Sequence, residues 1–272
     1  MGVKVQDAFG RPFGLEGPAR RIVSLIPSIT ETLFSLGAGD RVVGVSKFCT
    51  EPPEKIEAKT KVGGQKNPRL DAIVALKPDL VIANVEENHK ADVEAMWAAG
   101  LKVLVTYPRT VKEGIQLVRE LGVLTATSDR AEEIATACEA AMAEVERAVA
   151  GRARVRVFCP IWRGPYMTVN HDTYVNDVLH TCGGENIFRD RPERYPTVAL
   201  AEMAALKPEV ILLPDEPFPF GEKHLDDFRT FPDVPAVRAG RLCLLDGKMV
   251  SWYGPRIAES LRTLTSILLT SC

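Results

Sequence analysis

Long apolar runs are missing from this chain. Nowhere in its 272 residues does an apolar stretch approach the roughly 18 residues that span a membrane, so no transmembrane helix is expected. Basic charge is not in excess either. Lys and Arg number 34 against 36 Asp and Glu, a formal net charge of −2, which excludes the electropositive footprint of a nucleic-acid binder. Cysteine is present but unpatterned. Cys49, Cys138, Cys159, Cys182, Cys243 and Cys272 form neither CxxC nor CxxH, so zinc-site spacing is absent and the thiols read as reduced core residues. No GxGxxG follows a strand, and GxxxxGK(S/T), GxSxG and HExxH are all missing. Cys49 or Cys159 can be drawn beside His171 as nucleophile and base. With six Cys and four His such pairs arise by chance, and no enzymatic activity is expected. The start, MGVKVQDAFGRPF, lacks a positively charged stretch followed by an apolar segment. A signal peptide has therefore been removed, or the protein stays in the cytoplasm.

What the chain does hold is one sentence written twice. Residues 70–84 read LDAIVALKPDLVIAN and residues 200–214 read LAEMAALKPEVILLP. Leu70/Leu200, Ala75/Ala205, Leu76/Leu206, Lys77/Lys207 and Pro78/Pro208 are identical, and Asp79/Glu209 and the three apolar pairs that follow are conservative. Solenoids repeat every 20 to 50 residues or so. A single recurrence at this greater distance points to two domains of one architecture.

The elements support that reading. RIVSLI (21–26) is a β-rich run ended by Pro27, after which Ser28 and Glu31 form a capping box for SITETLFSLG. VVGV (42–45), DLVIAN (79–84) and LKVLVT (101–106) read as buried strands, with a helix over 88–99 closed by Gly100. The Ala- and Glu-rich stretch 128–150, with a capping box at Asp129 and Glu132, places Ile134, Cys138, Ala141, Val145 and Val149 on one stripe. This predicts a helix about 33 Å long, lying between the two copies of the repeat and read as a connector. The pattern then restarts. VRVFC (155–159), EVILLP (209–214) and RLCLL (241–245) are strands, and 172–184 and 254–269 are helices. Arg152, Arg154 and Arg156 alternate with Ala153 and Val155 as a strand with one solvated face. The expected fold is α/β: two Rossmann-like lobes, 1–126 and 151–272, joined by a single long helix over 127–150. A ligand cleft is expected between the two lobes, from loops beyond the carboxyl ends of the strands.

RIVSLIPSITETLFSLGAGDRVVGVS, then VGG, LDAIVALKPDLVIA, GLKV and VLHTCGGENIF follow one another over roughly 20–265. Together they resemble the helical-backbone (class III) substrate-binding proteins of ABC importers, closest to the cobalamin-binding branch. The resemblance implies the two-lobed fold and a bulky metal chelate as ligand: cobalamin or another corrinoid first, with haem and ferric siderophores sharing the fold. It implies no intrinsic cofactor, an ABC permease as partner, a monomer, and a periplasmic or otherwise extracytoplasmic location. Aligned on that branch, the aromatics that hold the corrin fall at Phe48 and Tyr195. Asn84 stands where a Trp is expected, and Gly63 or Gly64 replaces another. The thiol of the CGGEN motif is Cys182, and its disulfide partner in the last helix falls near Thr265. The carboxylates that dock a permease fall at Asp71 in the first copy of the repeated helix and at Glu202 in the second.

Several loops add candidates. Pro27 and Ser28 lie just after the first strand of the α/β pattern. PIWRGPYMTVNHDTY (160–174) gathers Trp162, Arg163, Tyr166, His171 and Asp172. Trp162 and Tyr166 either face a ligand or make the loop's own small core, and Arg163 offers a planar donor fork. His171 is either a metal ligand or the entry to a helix for which Asp172 is the N-cap. SWYGPR (251–256) supplies Trp252, Tyr253 and Arg256, whose aromatics stack on a planar ligand or pack beneath the loop. NVEENHK (84–90) brings Glu86, Glu87 and His89, a solvated helix start or part of a metal site that needs ligands from elsewhere. DEPFPF (215–220) is its counterpart, with Asp215, Glu216 and Phe218. The chain thus reads as a binding protein that holds a corrinoid for an ABC importer. The alternative is a cytosolic tetrapyrrole, haem or siderophore carrier or sensor without a permease.

Overall fold

Short runs of β-branched and aliphatic residues frame the computed structural model, which describes residues 2–270. Eleven strands are present among those residues. β1 (Val3–Gln6) and β2 (Pro12–Leu15) form an antiparallel hairpin. β3 (Ile22–Ser24), β4 (Val42–Val45), β5 (Thr60–Lys61), β6 (Leu80–Asn84) and β7 (Val103–Thr106) form a parallel sheet in the order β5-β4-β3-β6-β7. β8 (Val155–Phe158), β9 (Gly184–Asn186), β10 (Val210–Pro214) and β11 (Leu242–Leu245) form a second parallel sheet in the order β9-β8-β10-β11. Every residue of β3, β6 and β10 is buried, as parallel strands covered on both faces must be. The α/β class expected from the sequence is the class observed.

The chain divides into two compact units. One comprises the described residues through Pro108, with Lys112–Ala137 and Tyr253–Pro255; the other comprises Arg109–Val111, Cys138–Trp252 and the described residues from Arg256 onward. Their parallel sheets share one topology, with β4, β3, β6 and β7 matching β9, β8, β10 and β11 in order. The repeated sequence is the helix and strand that enter the middle of each sheet: Leu70–Ala75 with β6, and Leu200–Ala205 with β10.

Ser128–Val149 is one unbroken helix of 22 residues. Ile134, Cys138, Ala141 and Val145 of its predicted stripe are buried, and Val149 is partly exposed. The preceding helix, Val111–Thr125, runs through Gly122, where a Cβ would stand 2.4 Å from that of Ala131. Only glycine allows that approach.

In the first unit Ile22, Leu25, Ile29, Leu33, Leu80 and Ile82 are fully buried. In the second, Phe158 meets Phe188 and Phe228 edge-on at 5.6 and 6.3 Å. Each such side chain contributes roughly 1.5–3 kcal/mol through burial.

Local signals were redirected at several places. Pro27, with its fixed φ and no N–H, takes the first position of helix Pro27–Ser35, so Ile26 is the N-cap and Ser28 lies inside the helix. Helix Tyr174–Thr181 is capped by Thr173, whose hydroxyl accepts the Asn176 N–H at 3.2 Å. Asp172, expected there, instead pairs with Arg109 at 3.1 Å and Arg194 at 2.6 Å. Glu132 turns from Asp129 to Arg119, Nε to Oε2 at 2.8 Å, because a charge-assisted pair outcompetes a neutral donor. The strand expected from Arg152 begins only at Val155, and Arg154 directs Nη1 to the His180 carbonyl at 2.6 Å.

Candidate functional site

In the first unit the candidates gather on loops that follow β3, β4 and β6. Asn84 is buried, and its Nδ2 donates to Thr106 Oγ1 and to the Tyr253 hydroxyl, each at 3.3 Å. Its Oδ1 accepts the Glu86 N–H at 2.8 Å. Asn88 completes the turn, accepting the Asn84 N–H at 2.9 Å and donating to the Gln65 carbonyl at 2.8 Å. Lys66 Nζ donates to the Glu86 carbonyl. Asn88 and Lys66 therefore fasten loops 63–68 and 84–89 to each other, and the Asn84 amide is engaged within the protein. Tyr253 is buried with it, and burial raises its phenol pKa so that it stays neutral. Gly254, at φ +108°, approaches Thr32 so closely that a Cβ would lie 2.2 Å from Oγ1. Pro27 and Ser28 form the first turn of that same helix; Ser28 is buried and its carbonyl accepts from Thr32 Oγ1 at 2.8 Å.

Cys49 sits under this surface, its Sγ 3.1 Å from Thr30 Oγ1 and 3.3 Å from Ser46 Oγ. Burial raises the thiol pKa, the opposite of what a nucleophile needs. Phe48, next in sequence, is 51% exposed. The edge of its ring lies against Gly64, where a Cβ would stand 3.4 Å from Cε2.

In the second unit Trp162 and Tyr195 are 43% and 38% exposed, on the segments after β8 and β9. Trp162 pairs with Met167 across a tight reversal of the chain. Arg163 and Tyr166, inside that reversal, both turn to Asp227. Arg163 meets it through Nε–Oδ2 at 2.7 Å and Nη2–Oδ1 at 3.2 Å, and the Tyr166 hydroxyl donates to Oδ2. Tyr166 stacks on Phe220 at 6.3 Å, Phe220 tilts on Phe218 at 4.7 Å, and Phe218 meets Trp162 edge-on at 5.7 Å. Tyr166 thus belongs to the loop's own core, while Trp162 presents a face.

Trp252 is buried, with Lys248 Nζ and Arg256 Cζ at 5.5 and 5.6 Å from its ring. The acidic loop after β10 is tied to the same stretch. Asp215 Oδ1 accepts the Gly247 N–H at 2.8 Å, Glu216 Oε1 accepts from Ser251 Oγ at 3.1 Å, and burial raises the Glu216 pKa.

His171 Nδ1 lies 2.9 Å from the Arg189 carbonyl, and His89 is exposed at the entry to helix Lys90–Ala98. Among the described residues no group of three or more His, Cys, Asp or Glu is placed to hold a metal ion. Asp71 is exposed in the first turn of its helix, whereas Glu202, in the first turn of the matching helix, is ion-paired with Arg191. Asp227, Lys66 and Thr106 were not anticipated from the sequence. No local pattern links Arg163 to a carboxylate 64 positions away.

Residues 22–249 match the periplasmic binding protein family. The chain is 34% identical over 197 residues to the vitamin B12-binding protein of Salmonella paratyphi A, an alignment covering 72% of each. It is 28% identical over 193 residues to the vitamin B12-binding protein of Photorhabdus laumondii, covering 71% of this chain and 70% of that one. Among solved structures it is similar to the periplasmic vitamin B12 binding protein of Vibrio cholerae, with a TM-score of 0.82, 24% identity, and 92% and 97% of the two chains covered. It is also similar to a periplasmic heme-binding protein of Roseiflexus sp. RS-1, with a TM-score of 0.81, 27% identity, and 92% and 98% covered.

Proposed function

The chain belongs to the periplasmic binding protein family, the class III substrate-binding proteins that its motifs resemble, and from that premise we propose that it binds a corrinoid such as cobalamin for delivery to an ABC importer. The observation that carries the reading is 34% identity over 197 residues to a vitamin B12-binding protein. The exposed aromatics support it. Phe48 in one unit, and Trp162 and Tyr195 in the other, stand on segments that follow strand carboxyl ends, where ligands of α/β sheets bind. An aromatic face against a conjugated ring contributes roughly 0.5–1.5 kcal/mol beyond the area it buries. In this reading Asn84, Tyr253, Trp252 and Ser28 hold the loops, and Phe48 in one unit and Trp162 and Tyr195 in the other are the exposed aromatics each unit offers to a ligand. A periplasmic or other extracytoplasmic location, a monomeric state and permease docking through Asp71 and Glu202 belong to the same proposal.

A second reading keeps the fold and changes the cargo. The likeness to a heme-binding protein at a TM-score of 0.81 and 27% identity favours a haem carrier. Titration of the purified protein with cobalamin, haem and a ferric chelate, followed by visible absorption and tryptophan quenching, separates the two. Saturable quenching by cobalamin supports the corrinoid reading. Silence with cobalamin and a shifted Soret band with haem would replace it with the second.

A further inference from the structure

Asp227 lies in the short helix Leu225–Arg229, on none of the loops where the ligand is proposed to bind. It nevertheless collects three donors from one reversal of the chain: Nε and Nη2 of Arg163 and the hydroxyl of Tyr166. These two residues lie between Trp162 and Met167, which pair across the reversal. An ion pair at a partly exposed position contributes little to stability by itself. A bidentate guanidinium–carboxylate contact joined by a phenol is instead a geometric device, because its planar fork admits one arrangement.

Trp162 needs such a device. It is 43% exposed and its one ring contact among the described residues is the edge of Phe218. Phe218 leans on Phe220, and Phe220 stacks on Tyr166, so this chain of rings also ends on Asp227. A large side chain that is nearly half exposed has rotamer freedom to lose, and ordering it on binding opposes association.

We propose that Asp227 is a positioning residue for ligand capture: by gripping Arg163 and Tyr166 it sets the reversal on which Trp162 is held ready for the ligand, an inference that rests on the proposed function. The same carboxylate also keeps the Arg163 charge paired next to the aromatic face.

The experiment compares wild type with Asp227→Ala, Asp227→Asn and Asp227→Glu, each with and without Trp162→Phe so that the Trp162 emission is obtained by difference. Acrylamide quenching of that component is measured without ligand, and cobalamin and haem are then titrated. Asp227→Ala is expected to raise the quenching of the Trp162 component and to weaken binding roughly tenfold. Asp227→Asn is expected to fall between it and wild type, and Asp227→Glu to restore part of both. Asp226→Asn, a neighbouring carboxylate paired only with Arg229 among the described residues, is the control and should move neither. If Asp227→Ala does not fold, Asp227→Asn carries the test. A lower melting temperature with unchanged Trp162 quenching overturns the inference. Raised quenching in Asp227→Ala, together with a wild type that binds neither cobalamin nor haem, supports the positioning role and defeats the proposed function.

Discussion

Arg21 and Arg156 make the same helix cap in the two units. Arg21 directs Nε and Nη2 to the Leu76 carbonyl at 3.0 and 2.7 Å, and Arg156 directs the same atoms to the Leu206 carbonyl at 3.2 and 2.6 Å. The acid of the repeat answers them. Asp79 accepts the Arg20 and Arg21 N–H groups at 2.8 and 3.0 Å, and Glu209 accepts that of Arg156 at 2.9 Å. The doubled LKP motif is therefore a joint: a helix ends, a neighbouring strand's arginine satisfies an orphaned carbonyl, and the acid pins that strand's start.

Removing the cap should cost more where it is less solvated. Arg156 is partly buried and Arg21 exposed. Arg156→Ala is expected to destabilise by about 1.5 kcal/mol, the scale of a charged hydrogen bond, and Arg21→Ala by less. Thermal melts of both variants check this, and equal shifts would contradict it.

Lys77 and Lys207 sit at φ 46° and 50°, the left-handed region that burdens a residue with a Cβ. Lys77→Gly and Lys207→Gly should each stabilise by about 0.5–1 kcal/mol, because relief of native strain outweighs the extra unfolded freedom of glycine. Valine at either position should destabilise. A lower melting temperature for both glycine variants would show that the lysine side chains make contacts of greater worth.

Cys182 is buried, its Sγ 3.5 Å from the Leu261 carbonyl, and burial pushes its pKa up to about 12. The buried Thr265 hydroxyl lies beside it, where the resemblance puts a disulfide partner. Cys182 should resist iodoacetamide in the native protein, and the wild-type melting temperature should ignore reductant. Thr265→Cys should oxidise to a bridge that stabilises by up to about 4 kcal/mol on the chain-entropy estimate. Failure to crosslink on mild oxidation, read by intact mass, counts against this placement.

Asp227 titrates below the ordinary aspartate range because Arg163 hydrogen-bonds its charged form. A depressed carboxylate stabilises the fold fully above its unfolded pKa near 3.9 and loses that contribution as pH falls through the lower folded value. Wild type should exceed Asp227→Asn in stability by a constant margin from neutral pH down to about 4, with the gap closing below. Denaturant midpoints across that range test the sign; a gap that widens on acidification would reverse it.

Much of the scaffold was legible. VVGV coincides with β4 residue for residue, and the stripe from Ile134 to Val145 is buried. The repeated motif marks two sheets of one topology. The site was legible only as a set of segments. Phe48, Trp162 and Tyr195 emerged exposed, while Asn84, Tyr253 and Trp252 went into the interior. Caps were the weakest point. Pro27 displaced Ser28 by its own backbone constraint, whereas Asp172 and Glu132 were drawn off by arginines distant in sequence.

The sequence by itself determined the α/β order, the long helix between the copies of the repeat, and the family, because hydrophobic period and turn residues act within about ten neighbours. The tertiary structure alone decided which polar and aromatic side chains face water. Asn84 and Tyr253 meet across 169 positions, and Arg163 finds Asp227 across 64. A buried amide takes whatever partner packing brings within hydrogen-bond range, since an unpaired polar group in the interior costs more than any local preference can offset, and an exposed guanidinium joins a carboxylate only where the fold presents one.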